Sequence, residues 1–127
     1  MHALRKGCAL VPFTPLPAAD DLYCALGTTI KVAGSKEAFR AVDFDAVVNT
    51  ARAAQAVGVK RTAVVSAMGA SPNSPVFYNR VKADTEAALR TMGFQRLVIV
   101  RPSLLVGSRE TRGQTSRPSE ALMIKVL

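Results

Sequence analysis

The run A-V-V-S-A-M-G-A-S-P-N-S-P-V-F-Y-N-R-V-K (63–82) decides how this chain folds. Ala63, Val64 and Val65 are apolar without alternation, as in a strand of a parallel sheet, and Ser66 ends them. A loop with Pro72 and Pro75 follows, and a helical pattern then opens with Tyr78 and Lys82. Side chains four apart on a helix share a face, so a phenol and an ammonium can meet there. A serine delivered by the strand end completes the group. No other stretch of the chain arranges its residues for chemistry in this way.

Working outward, the same strand–helix alternation recurs. Upstream, Leu22-Tyr23-Cys24-Ala25-Leu26 is a continuous apolar run ended by Gly27, the pattern of a strand covered on both faces. A helical stretch is predicted from Ser35 to Val57 with an interruption near Val42. Phe44, Val47, Val48, Ala51 and Ala54 recur there at helical spacing, and Gly58 caps the end. The second strand is Thr62–Val65, and the second helix runs from Phe77 to Met92. Its inner stripe is Val81, Thr85, Ala88, Leu89 and Met92, and Gly93 stops it. A third strand, Leu97–Val100, stops at Arg101-Pro102. Strands alternating with helices long enough for right-handed crossovers predict an α/β fold with a parallel sheet. Residues 1–19 read as an irregular segment in which only Cys8–Val11 suggests a short strand. Residues 20–112 form the domain, and 113–127 are a tail that turns apolar from Ala121 to Leu127.

Composition narrows the function classes. The 127 residues are 49% hydrophobic and 20% charged, which suits one ordinary globular domain. No apolar run is long enough to cross a bilayer, and the N-terminus makes a poor signal peptide, so the expectation is a cytoplasmic protein. Cys8 and Cys24 form no C-x-x-C pair, and His2 is the only histidine, so no metal is expected and the thiols read as reduced and buried. The net charge of +8 is spread along the chain with no basic run or interleaved aromatics. That favours solvated surface or an anionic cofactor over nucleic acid.

Ligands of open α/β sheets bind outside the carboxyl ends of the strands. Three such ends are legible here: Gly27-Thr28-Thr29, Ser66-Ala67-Met68-Gly69 and Arg101-Pro102-Ser103. Gly27 permits close approach to the backbone, although Gly-Thr-Thr also suits a plain turn. Tyr78 paired with Lys82 is the candidate acid/base, because a neighbouring ammonium favours the phenolate. The Ser66 hydroxyl is placed to hold a substrate oxygen. Tyr-x-x-x-Lys also arises by chance. What distinguishes this copy is its place at the opening of a helix that follows a strand ending in serine.

Taken in order, L-Y-C-A-L-G-T-T (22–29), A-G-S (33–35), V-S-A-M-G-A-S (65–71), F-Y-N-R-V-K-A-D-T-E (77–86) and R-P-S-L-L-V-G-S-R (101–109) resemble atypical short-chain dehydrogenase/reductases. The nearest look is to the NmrA-like branch that includes the Tat-interacting-protein oxidoreductase. The resemblance implies a Rossmann-type domain and an NAD(P)-dependent oxidoreductase acting on a carbonyl or alcohol, with NADP preferred. By that resemblance Tyr78 is the acid/base, Lys82 contacts the nicotinamide ribose, and Ser66 orients the substrate oxygen. Leu26, Gly27, Thr28, Thr29 and Pro102 would join Tyr78 and Lys82 in lining the cofactor. Where the branch has a second serine after the first, this chain has Ala67.

The family's glycine-rich turn, which cradles a pyrophosphate on a helix N-terminus, has no counterpart here. The chain therefore reads as strands four to six of that fold, a partial Rossmann-type sheet with the first βαβ units missing. Weak or absent cofactor binding follows from that reading. So does a rival one, a non-enzymatic cofactor-sensing or protein-interaction module of the same fold. The first of the three strands would have a bare edge, expected to be covered in part by Cys8–Val11 or the apolar tail. Such an edge also leaves room for a homo-oligomer.

Overall fold

The computed structural model describes residues 16–103. Three strands, β1 (Asp21–Cys24), β2 (Arg61–Val65) and β3 (Arg96–Val100), form one parallel sheet in that order. Cys24 pairs with Val64, and Val64 in turn with Ile99. β1 ends two residues earlier than the apolar run suggests, and β2 and β3 each begin one residue earlier than expected.

After β1 a single turn, α1 (Ile30–Ala33), is capped by the Thr29 hydroxyl, which accepts from Val32 N–H at 3.1 Å. α2 (Lys36–Arg40) follows, capped by Ser35, which accepts from Ala38 N–H at 3.0 Å. The chain then stays helical to Ala56, but Ala41–Ala46 is a π-helical stretch before α3 (Val47–Ala56). The interruption expected near Val42 is thus a widened turn and not a break. α4 (Phe77–Arg90) ends one turn short of Gly93. Gly58 and Gly93 lie at φ +100° and +76°, the left-handed region that ends helices and favours glycine.

The core is one-sided. Cys24, Val47, Ala51, Val64 and Leu89 form its centre, with Leu22, Leu97 and Ile99 packed against them. α3 and α4 touch each other and the same face of the sheet. Two right-handed crossovers that step in one direction along a sheet put both helices on one face. Coverage of the strands on both faces, expected from their apolar runs, is therefore not what the described residues form. Tyr23, Val65, Val98 and Val100 are exposed on the far face, Tyr23 at 80%. Among the described residues β1 has β2 as its only strand neighbour. The Cys8–Val11 strand and the apolar tail, expected to cover that edge, lie outside the described residues.

Candidate functional site

The inner face of α4 is not purely apolar. Val81, Ala83, Thr85 and Leu89 are buried, as an amphipathic helix requires, but so are Lys82 and Glu86. Burying a charge is costly unless it is paired, and each of these finds a partner far away in sequence. Lys82 Nζ lies 2.6 Å from Asp43 Oδ1, with Asp43 fully buried. Asp43 sits in the π-helical stretch, where the widened turn carries its carboxylate toward the strand ends. Its second oxygen accepts from Thr28 N–H at 2.9 Å. Its main-chain carbonyl accepts from the Thr85 hydroxyl at 2.7 Å. One residue thus ties the β1 exit, the long helix and α4 together. Burial pushes the Asp43 carboxyl above its ordinary value, and the attraction of Lys82 and the Thr28 N–H offsets only part of that.

Gly27 lines the same corner. A Cβ built there would stand 3.3 Å from Asp43 Oδ1 and 3.6 Å from Lys82 Nζ. Any larger side chain would fill the approach to both charges. Tyr78 is half-buried. Its ring packs on Phe39 at 5.2 Å between centroids, and Lys82 Nζ stands 5.6 Å from its ring centre. Among the described residues, no hydrogen bond joins the Tyr78 hydroxyl to Lys82 or to Ser66.

Ser66 is buried immediately after β2, its N–H donating to the Val100 carbonyl at 2.7 Å. Its hydroxyl makes no aligned hydrogen bond. Glu86 is the second buried charge of α4. Burial alone would raise the Glu86 carboxyl. Arg101 and Arg90 outweigh burial and hold it below the ordinary value.

The site residues read from the sequence therefore fall into two groups. Lys82, Gly27 and Thr28 converge on Asp43, with the Tyr78 ring beside Lys82, whereas Ser66 sits apart at the end of β2, fixed to Val100. Thr29 spends its hydroxyl on capping α1, Leu26 packs against the core, and Pro102 is half-buried one residue beyond Arg101. The sequence reading passed over Asp43 and Glu86, and took Arg101 only as part of a strand end. The one signal available for Asp43 was the expected irregularity near Val42, since π-helical turns gather at functional sites.

No family model matches the chain. It is similar to curated fungal proteins named FMP52, mitochondrial. The Coccidioides immitis protein is 41% identical over 96 residues, 76% of this chain and 39% of that protein. The Aspergillus niger protein is 40% identical over 114 residues, 90% and 46% respectively. The Emericella nidulans protein is 39% identical over 113 residues, 89% and 46%. The chain spans less than half the length of these relatives.

Two expectations are overturned by these matches. The resemblance to short-chain dehydrogenase/reductases gains no support, because no family model of that kind matches and the relatives carry a different name. The cytoplasmic expectation, drawn from the lack of a signal-peptide pattern, conflicts with relatives that are named mitochondrial. Among the described residues, no helix is long and apolar enough to cross a membrane.

Proposed function

We propose that the chain supplies part of an NAD(P)-dependent oxidoreductase, a partial Rossmann-type sheet in which Tyr78 moves the proton of a substrate oxygen. The observation that carries this reading is the corner formed by Gly27, Lys82 and Tyr78. There a buried ammonium stands beside a glycine that leaves its approach open and 5.6 Å from a tyrosine ring centre. The corner lies at the carboxyl edge of a parallel sheet, where α/β folds take their ligands.

The residues present suit the nicotinamide–ribose end of such a cofactor. Lys82 can donate to a ribose hydroxyl, Asp43 can accept from one, and Gly27 admits the close approach. For the pyrophosphate, the described residues offer no glycine-rich turn between a strand and a helix. Affinity is accordingly expected to be weak, with NADP preferred over NAD. When bound, the dinucleotide supplies the hydride acceptor or donor. Tyr78 handles the proton of the alcohol or carbonyl oxygen, with the positive charge of Lys82 beside it. Asp43 competes for that charge, so the strength of the Lys82–Asp43 pair sets how much of it reaches the phenol. Ser66, from the end of β2, is assigned to hold the substrate oxygen.

A fluorescence titration with NADPH and NADH tests the reading. Saturation at micromolar to millimolar cofactor, weakened at least tenfold by Lys82→Met, is expected. Tyr78→Phe should keep binding and abolish turnover. Absence of any saturable binding would sink the proposal.

One observation favours a second reading. Lys82 and Asp43 are both buried and joined at 2.6 Å, the arrangement of an internal strut in a non-catalytic module. In that case Lys82→Met would lower stability with no ligand-dependent readout to lose. The names of the relatives support a mitochondrial location for this chain as well. An antibody to the chain should follow mitochondrial markers on cell fractionation, and enrichment in the cytosol would exclude it.

A further inference from the structure

Each strand turns alternate residues to opposite faces of the sheet, and the register sets those of the far face in rows. Asp21, Arg61 and Arg96 form a charged row at the amino end of the strands. Tyr23, Ala63 and Val98 form the next row, and Val65 with Val100 the last. Val65, Val98 and Val100 are 41–47% exposed, and Tyr23 more so. In the charged row, Arg61 Nε meets Asp21 Oδ1 at 2.6 Å. Arg96 has no carboxylate partner among the described residues. The face therefore has an apolar middle, with an acid on one outer strand, β1, and an unpaired base on the other, β3.

Such a face is complementary to itself. A two-fold axis between two of these sheets, parallel to their strands, lays β1 of one copy over β3 of the other and β2 over β2. The rows stay in step, apart from the roughly 30° that sheet twist introduces. Asp21 then meets Arg96 of the second copy at both edges, and Tyr23 covers Val98. At the axis Ala63 lies against its own counterpart, where a methyl lets the sheets approach to the usual spacing of about 10 Å. An axis across the strands would instead set Arg61 and Arg96 over Val65 and Val100, stripping charges of water without partners. We propose that two copies of this chain pair through the far faces of their sheets, about a two-fold axis parallel to the strands, with Asp21 of each against Arg96 of the other. Three strands about 4.8 Å apart and five residues at about 3.3 Å give a footprint of roughly 14 by 17 Å. That is small beside the roughly 800 Å² a side of a standard interface, so the pair is weak. The pairing is independent of the oxidoreductase reading.

Sedimentation equilibrium of the full chain tests this, taken up to about 1 mM protein, where even weak pairing shows. The +8 charge of each copy opposes association at range, and about 0.15 M salt screens it beyond about 8 Å. Wild type should approach twice the chain mass at the highest concentration. Asp21→Lys and Arg96→Glu each place like charges opposite one another at two symmetric contacts, so each should weaken self-pairing at least about tenfold. Mixed in equal amounts, the two variants oppose unlike charges at both contacts, and the mixture should regain the dimer that neither forms alone. Should Asp21→Lys fail to fold through loss of its pair with Arg61, Val98→Lys replaces it in the self-pairing measurement. An ammonium among apolar side chains should weaken the dimer by a similar factor. A wild-type chain that stays monomeric throughout overturns the proposal. So does a dimer that survives both Arg96→Glu and Val98→Lys, since it must form elsewhere, as at the β1 edge. A mixture that pairs no better than its components overturns it as well, because the two-fold arrangement requires Asp21 to face Arg96.

Discussion

Burying Lys82 against Asp43 strips two charges of their hydration, and only their proximity and the Thr28 N–H compensate. Removing one partner leaves the other uncompensated. Asp43→Ala is therefore expected to lower the free energy of unfolding by about 3–5 kcal/mol, read from urea denaturation. The apolar pair Asp43→Leu/Lys82→Met should recover most of that loss, because buried ion pairs are often replaceable by packed hydrophobes. A double variant as unstable as the single one would mean that the corner depends on the charges themselves. Glu86 has a distinct pH signature. Its carboxyl is held below the ordinary 4.5 in the fold, so its contribution is present above that pH and is lost as pH falls through the folded value. Asp43, pushed up from 3.8, has the opposite slope, since its contribution declines as pH rises through its folded value. Stability of wild type minus Glu86→Gln, measured from pH 6 to pH 3, isolates the first effect. That difference should shrink toward acid pH.

At the scale of elements, the loop between β2 and α4 is clipped to the helix it precedes. Arg80 donates to the Ser74 carbonyl at 2.9 Å, and Ser71 N–H donates to the Asn79 carbonyl at 3.3 Å. Gly69 lies under Asn79, and a Cβ there would come 2.7 Å from its Nδ2. Gly69→Ala must push the Asn79 amide aside, and because that is the end of a flexible side chain over an exposed position it should cost less than about 1 kcal/mol while speeding proteolysis within residues 67–76. Asn79→Ala should relieve part of that cost in the double variant, and strict additivity would show that the two side chains do not meet. The π-helical stretch acts at the same scale. A regular helix would carry Asp43 about one residue's rotation away from Lys82, since helix direction changes by roughly 100° per residue at 3.6 residues per turn.

For the molecule as a whole, the open question is the far face of the sheet. Tyr23, Ala63 and Val98 lie side by side across the strands, as do Val65 and Val100. Exposed apolar area of this kind promotes association. Val98→Lys is expected to change folding stability by less than about 0.5 kcal/mol and to reduce light scattering at high protein concentration. A loss beyond about 2 kcal/mol would mean that the folded chain covers this face.

The order of strands and helices, the parallel sheet and the glycine stops at Gly58 and Gly93 were all legible in the sequence. Apolar periodicity and left-handed caps act between residues a few positions apart, so the chain displays them directly. The pairings of the buried charges were not legible. Asp43 meets Thr28 across 15 residues and Thr85 across 42, and Glu86 meets Arg101 across 15. Nothing local marks Asp43 or Glu86 as anything but polar positions on a helix. The crossovers that lay α3 and α4 on one face of the sheet bring each charge to its partner, and burial then makes the pairing obligatory. Ser66, Tyr78 and Lys82 could be picked out as residues suited to chemistry. That Lys82 is spent on Asp43, with no hydrogen bond among the described residues to Tyr78 or Ser66, was decided only by the tertiary structure.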